Sequence, residues 1–258
     1  GACRIPGALG QPAAMNGLGW RLLGRELRSG ELRLLLAALV VAVAAVTAVG
    51  FFTDRVRLAL EQEAQQLLGG DLLLISDHPW PAAIREEAAG RGLKTAETVS
   101  FPSMVLAGGQ TQLADIKAVS SAYPLRGSLR RADRAGEAGE ATAGGPSPGS
   151  AWVDERLANA LDASPGTSVQ LGQRDLPVSA ILTLEPDRGV NFFSLAPRLM
   201  MHLDDLPGTA LIQTGSRVSY RLLVAGDTDA VAGFRQWIEP RLERGERLED
   251  TRNARPEI

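Results

Sequence analysis

At 258 residues the chain has room for one sizeable domain or two small ones. Apolar residues make up 45% and aromatics only 5%, so a core must rest on Leu, Val and Ala. A net charge of −3, with no block of six like charges, gives no electrostatic footprint for DNA or RNA. The single cysteine, Cys3, excludes an internal disulfide and a cysteine-rich metal site.

Residues 1–14 show no periodicity and are expected to be unstructured or a misassigned start, with Met15 as the candidate true start. Residues 15–32 place Trp20, Leu23 and Leu27 at helical spacing with Arg21, Arg25 and Arg28 on the flanks. That pattern predicts an amphipathic helix at the cytoplasmic membrane interface, with Trp20 at headgroup depth. The run from Leu34 through Val40 and Val46 to Phe52 carries no charge, and Thr47 is its only polar side chain. Its 19 residues would span roughly 28 Å, close to the ~30 Å hydrocarbon core. A soluble core helix would show a polar stripe, and a signal-peptide core is shorter. A membrane-spanning anchor is therefore expected. Arg21, Arg25, Arg28 and Arg33 precede the run and only Arg55 and Arg57 follow closely, which puts the N-terminus in the cytoplasm and residues after 53 outside. Helical spacing continues beyond the run, with Val56, Leu60, Ala64 and Leu67 on one stripe and Gly69-Gly70 as a stop. Residues 33–68 thus read as a membrane helix with a stalk whose stripe needs a partner helix.

The remainder reads as an α+β domain. DLLLIS (71–76) is a strand, PAAIREEAAGRG a helix, and TAETVSFPSMVLA with TQLADIKAVSS two strands joined at Gly108-Gly109. Residues 131–150 contain no large apolar side chain and are expected to form a flexible loop. From 151 to 215 a short helix around Leu157 and Leu161 precedes β-like SVQLG and LPVSAILTLE. A cluster of Phe192, Phe193, Leu199 and Met200, read as core, follows them. RVSYRLLVAG is a strand, and DTDAVAGFRQWIEPRL is a helix capped by Asp227 or Thr228. ERLEDTR reads as a last strand. Two strand–helix–strand units therefore flank a β-rich insert. The expected arrangement is an α/β lobe of 69–130 with 216–258, and a β-rich insert lobe of 151–215.

No motif for a nucleophile elbow, a phosphate loop, a zinc helix or a redox pair occurs. His78 and His202 read as surface or packed residues, and the acidic pairs Glu86-Glu87 and Asp204-Asp205 as solvated. No catalytic residue, metal ligand or cofactor is expected.

Several stretches carry a resemblance: WRLLGRELRSGELRLLLAALVVAVAAVTAVGFFTDRV, IKAVSSAYPLRG, AWVDERLANALDASPGTSVQLG and ILTLEPDRGVNFFSLAPRLMMHLDDL followed by GSRVSYRLL. In their order and spacing, residues 16–258 resemble the N-terminal part of an FtsX/MacB-like ABC-transporter permease, nearest its YbbP-like branch. The resemblance implies a cytoplasmic interfacial helix, a first membrane helix in the bacterial inner membrane and a two-lobed periplasmic domain, one lobe similar to the porter modules of efflux pumps. It also implies a separate cytoplasmic ABC ATPase as partner and a second permease copy or homologous subunit. The periplasmic domain would act on lipids, lipoproteins, peptides or partner proteins. Further membrane helices would follow Ile258, so the chain is expected to be a fragment. The alternative is a single-pass, membrane-anchored periplasmic binding or scaffold protein; a lipid hydrolase is a distant third.

Overall fold

A computed structural model describes residues 31–190, 196–213 and 215–250. The chain divides into two compact units, Gly1–Ala59 and Leu60–Ile258. Helix α1, Glu31–Leu68, is assigned without interruption across that division. It ends where Gly69 adopts φ +67, the left-handed cap that a glycine supplies at low cost.

In the second unit, β1 (Leu72–Ser76), α2 (Ala82–Gly90) and β2 (Lys94–Ala107) form the first strand–helix–strand unit. β10 (Ser219–Ala225), α5 (Thr228–Ile238) and β11 (Arg247–Asp250) form the second. The two interleave in the order β11-β1-β10-β2, with every neighbouring pair antiparallel. Leu72 stands opposite Asp250 in the β1–β11 pair. Helices α2 and α5 cover one face through Ala88, Phe234 and Ile238, packed on Leu72, Leu74, Leu222 and Val224. Complete burial of a side chain such as Phe234 stabilises by roughly 1.5–3 kcal/mol. Asp227 caps α5 by accepting from the Asp229 N–H, one of the two cap residues the sequence suggested.

β3 (Gln110–Val119) continues the sheet as a hairpin with β2 through Gly108 and Gly109, both at positive φ. Beyond it lie β9 (Arg198–His202), parallel to β3, then β6 (Ala151–Asp154) and β8 (Arg174–Leu184). β7 (Ser168–Leu171) pairs with both β8 and β2, so β2-β3-β9-β6-β8-β7 closes into a six-stranded ring. Closure removes exposed strand edges. Inward-facing Phe101, Val105, Ile116, Val169, Leu176 and Leu199 fill the ring against Leu157 and Leu161 of α3 (Glu155–Leu161). The two expected sections therefore share one sheet, and β2 and β3 belong to both the flanking layer and the ring.

Two short strands reach into 131–150, the stretch expected to form a flexible loop. β4 (Leu129–Ala132) pairs with β8, and β5 (Glu140–Thr142) pairs with β4. Backbone pairing, not side-chain volume, places these two strands. Arg130 also donates through Nε to the Gly139 carbonyl at 2.9 Å, and a Cβ at Gly139 would lie 2.0 Å from Oγ1 of Thr183. α4 (Leu206–Thr209) completes the elements.

Candidate functional site: an apolar helix and a clamped joint

Within the first unit, Arg33–Val56 is long and apolar enough to cross a membrane, and none of it is buried. Leu34, Val40, Val46 and Phe52 are all more than half exposed, so the segment has no protein partner among the described residues. In lipid, every backbone group of a helix is satisfied internally. The two hydroxyls follow the same rule: Thr47 donates to the Val43 carbonyl at 2.7 Å and Thr53 to that of Val49 at 2.9 Å. Val56, the first stalk residue, is partly exposed. Leu60, Ala64 and Leu67 lie in α1, but their side chains are outside the described set. Trp20, Leu23 and Leu27 of the interfacial helix, and Phe192 and Phe193, lie outside the described residues.

Just after α1, two other segments of the second unit hold Gly69–Asp71. The Gly69 carbonyl accepts from the N–H groups of Leu125 and Arg126, both at 3.0 Å. The Asp71 N–H donates to the Val224 carbonyl at 2.9 Å. The Asp71 carboxylate accepts two hydrogen bonds from Arg126, at 3.0 and 2.8 Å, and one from the Gly226 N–H at 3.0 Å. This side-on carboxylate–guanidinium pair is the stronger, directional kind of ion pair. It holds the Arg126 guanidinium above its usual value, the hydrogen bonding it donates to Asp71 outweighing the cost of burial.

Against this joint lies a buried ionic cluster. Lys117, from β3, donates to Tyr123 Oη at 2.9 Å, Glu185 Oε1 at 2.6 Å and both Asp187 oxygens at 2.7 Å. Tyr123 in turn donates to Asp187 at 2.5 Å. Arg198 reaches Glu185 at 3.1 Å and Asp115 at 3.0 Å. Burial alone would raise the Asp187 carboxyl. The Lys117 charge and hydrogen bond, with the Tyr123 hydroxyl, more than offset it and leave the group below its usual value. Burial, with Asp187 and Glu185 beside it, pushes the Tyr123 phenol well up. A Cβ built on Gly69 would lie 3.9 Å from Asp187 Cβ and 3.9 Å from Tyr123 Cε2, so the joint rests directly on the cluster. Nothing in the sequence reading singled out Lys117. The available signal was a lysine within the apolar strand Ile116-Lys117-Ala118-Val119, in a chain whose other cations are nearly all arginine.

Residues 34–241 match the MacB-like periplasmic core domain, a span that takes in the apolar segment, the joint, the ionic cluster and every strand but β11. The chain belongs to the MacB-like periplasmic core domain family. Over 222 residues it is 36% identical to the uncharacterized ABC transporter permease YbbP of Escherichia coli strain K12, covering 86% of this chain and 27% of that protein. Among solved structures, the periplasmic region of MacB from Actinobacillus actinomycetemcomitans is similar at 11% identity and a TM-score of 0.47, over 74% of this chain and 94% of that one. The extracellular domain of the noncanonic ABC-type transporter YknZ from Gram-positive bacteria is similar at 11% identity and a TM-score of 0.45, over 69% and 100% of the two chains.

This MacB-like core contains one arrangement that imitates a catalytic triad. Ser121 Oγ lies 2.9 Å from His202 Nε2, and His202 Nδ1 lies 3.4 Å from the exposed Asp204 carboxylate. The backbone N–H of Asp204 donates to that same Nδ1 at 3.2 Å. Nδ1 thus faces a backbone N–H, where a triad needs it to donate to the carboxylate. His202 acts as the cap of the 3₁₀ turn 203–205. His78 contacts Ser76 Oγ at 3.0 Å, Asp77 at 2.9 Å and Glu246 at 3.1 Å. Among the described residues no group of three His, Cys, Asp or Glu is placed to hold a metal. The expectation that both acidic pairs are solvated is corrected at Asp205, which is buried. Its carboxylate accepts from the Gly149 N–H and from Arg174, so partners within the fold replace water.

Proposed function

We propose that this chain is the N-terminal part of a permease subunit in an ABC-type export or mechanotransmission complex. A partner cytoplasmic ATPase would move α1, and the extracytoplasmic domain would act on a lipid, lipoprotein, peptide or partner protein. The observation that carries this reading is the clamp at Gly69–Asp71 on the end of an uninterrupted helix. A flexible tether would suffice to anchor a domain, whereas backbone and ion-pair restraints from two separate segments hold the residues that follow α1. The family membership and the similarity to an ABC transporter permease support the same reading. The proposal places the N-terminus in the cytoplasm and residues after 53 in the periplasm of a bacterial inner-membrane protein, with a second permease copy completing the complex.

The test is purification of the membrane complex from cells expressing the intact permease, with a Gly-Ser-Gly insertion between Leu68 and Gly69 as the comparison. The expected result is an ABC ATPase that co-purifies with both forms. ATP should change the protease sensitivity of residues 69–250 only in the form without the insertion. Absence of any ATPase, or the same ATP response in both forms, would overturn the proposal and leave a membrane-anchored binding or scaffold protein as the better description.

A further inference from the structure

The joint and the ionic cluster are linked by a continuous set of contacts that the permease reading does not require. Gly69 O holds the N–H groups of Leu125 and Arg126, which begin two residues after Tyr123. The Tyr123 hydroxyl is shared between Lys117 and Asp187, and Lys117 also grips Glu185. Glu185 precedes and Asp187 lies within the 3₁₀ turn Pro186–Val190 that follows β8. The side chains of Tyr123, Lys117, Glu185 and Asp187 are all at least nine-tenths buried. Lys117 and Arg198 face three carboxylates, Glu185, Asp187 and Asp115, and Lys117 uses its three protons on three residues. Partial opening would leave a buried charge without a partner, which costs far more than the loss of one exposed contact. Such a cluster yields as a unit or holds as a unit.

The geometry points to Lys117 as a positioning residue that joins the 120–128 loop and the 186–190 turn into one body with the α1 joint, so that displacement at Gly69 is delivered to the turn after β8. This rests on the mechanical reading for its purpose, but its test needs no ATPase, so the two can fail separately.

The experiment is hydrogen–deuterium exchange on the full chain in lipid nanodiscs, comparing the parent with Gly69→Ala. The substitution strains a backbone at φ +67 and brings a Cβ 3.1 Å from Leu223 Cδ2. Exchange in peptides covering 120–128 and 185–190 should rise by about tenfold or more, while the β7–β8 hairpin (168–176) stays unchanged. In a Lys117→Met, Glu185→Gln, Asp187→Asn background, which leaves Arg198 paired with Asp115, Gly69→Ala should still loosen 120–128 but no longer reach 185–190. Tyr123→Phe, which removes only the shared hydroxyl, should disconnect the turn in the same way and serves if the triple variant does not fold. An unchanged 185–190 peptide in Gly69→Ala would overturn the inference. So would an effect that persists in both disconnecting backgrounds, or one that spreads equally to the β7–β8 hairpin.

Discussion

At the scale of single residues, Lys117 carries the largest expected effect. Removing one partner from a buried ion pair typically costs about 3–5 kcal/mol, because the remaining charges lose their compensation. Lys117→Met should therefore lower the unfolding free energy of the full chain in detergent by an amount of that order. Adding Glu185→Gln and Asp187→Asn should recover most of it, since the Arg198–Asp115 pair remains balanced. Chemical denaturation of the three proteins checks this; an unstable triple variant would mean that shape, not charge, holds the cluster. The cluster was hidden from sequence reading because Glu185 and Asp187 stand 68 and 70 positions from Lys117. Asp205 was misread for the same reason: its partners Gly149 and Arg174 lie 56 and 31 positions away. Local composition reports what a residue is beside in the chain, and these residues are defined by what the fold brings to them.

At the scale of elements, periodicity revealed what it could. The apolar segment, the β2–β3 hairpin and α5 each have a repeat or turn chemistry strong enough to be read directly. β9 went unread because Arg198–His202 is buried on both faces and shows no alternation. β6 is four residues set flush against α3, too short for any period. β5 was missed because its place depends on pairing with β4 and not on apolar content. One tie between elements has a pH dependence that can be worked out. His78 links the end of β1 to the turn before β11, and its imidazole is raised above its usual value, first by the Asp77 hydrogen bond and then by Glu246, against the cost of burial. The protonated form is thus favoured in the folded state. Its contribution is present below the unfolded value of about 6.5 and is lost as pH rises through the folded value. His78→Gln should flatten that part of the stability-versus-pH curve, measured by thermal unfolding from about pH 6 to 8. An unchanged slope would place the titration elsewhere.

For the whole molecule, the closed ring means that sections 69–130 and 151–215 cannot separate without breaking the β3–β9 and β2–β7 pairs. Topology is the corresponding prediction. In a Cys3→Ser background, a cysteine at exposed Glu137 should react in intact cells whose outer membrane has been permeabilised to a membrane-impermeant maleimide. A cysteine at Ser29 should react only after lysis. The reverse pattern would invert the orientation drawn from the arginine bias.

The opposition of Leu72 and Asp250 across neighbouring antiparallel strands has a consequence for protein engineering. The ends of the span 72–250 lie about 5 Å apart, the separation of paired strands. A stretch of nearly two hundred residues with touching ends behaves as a cassette: it can be lifted from one host and set into any short bend of another without stretching the recipient backbone. A chimera built at Leu72 and Asp250 is the natural place to begin grafting it.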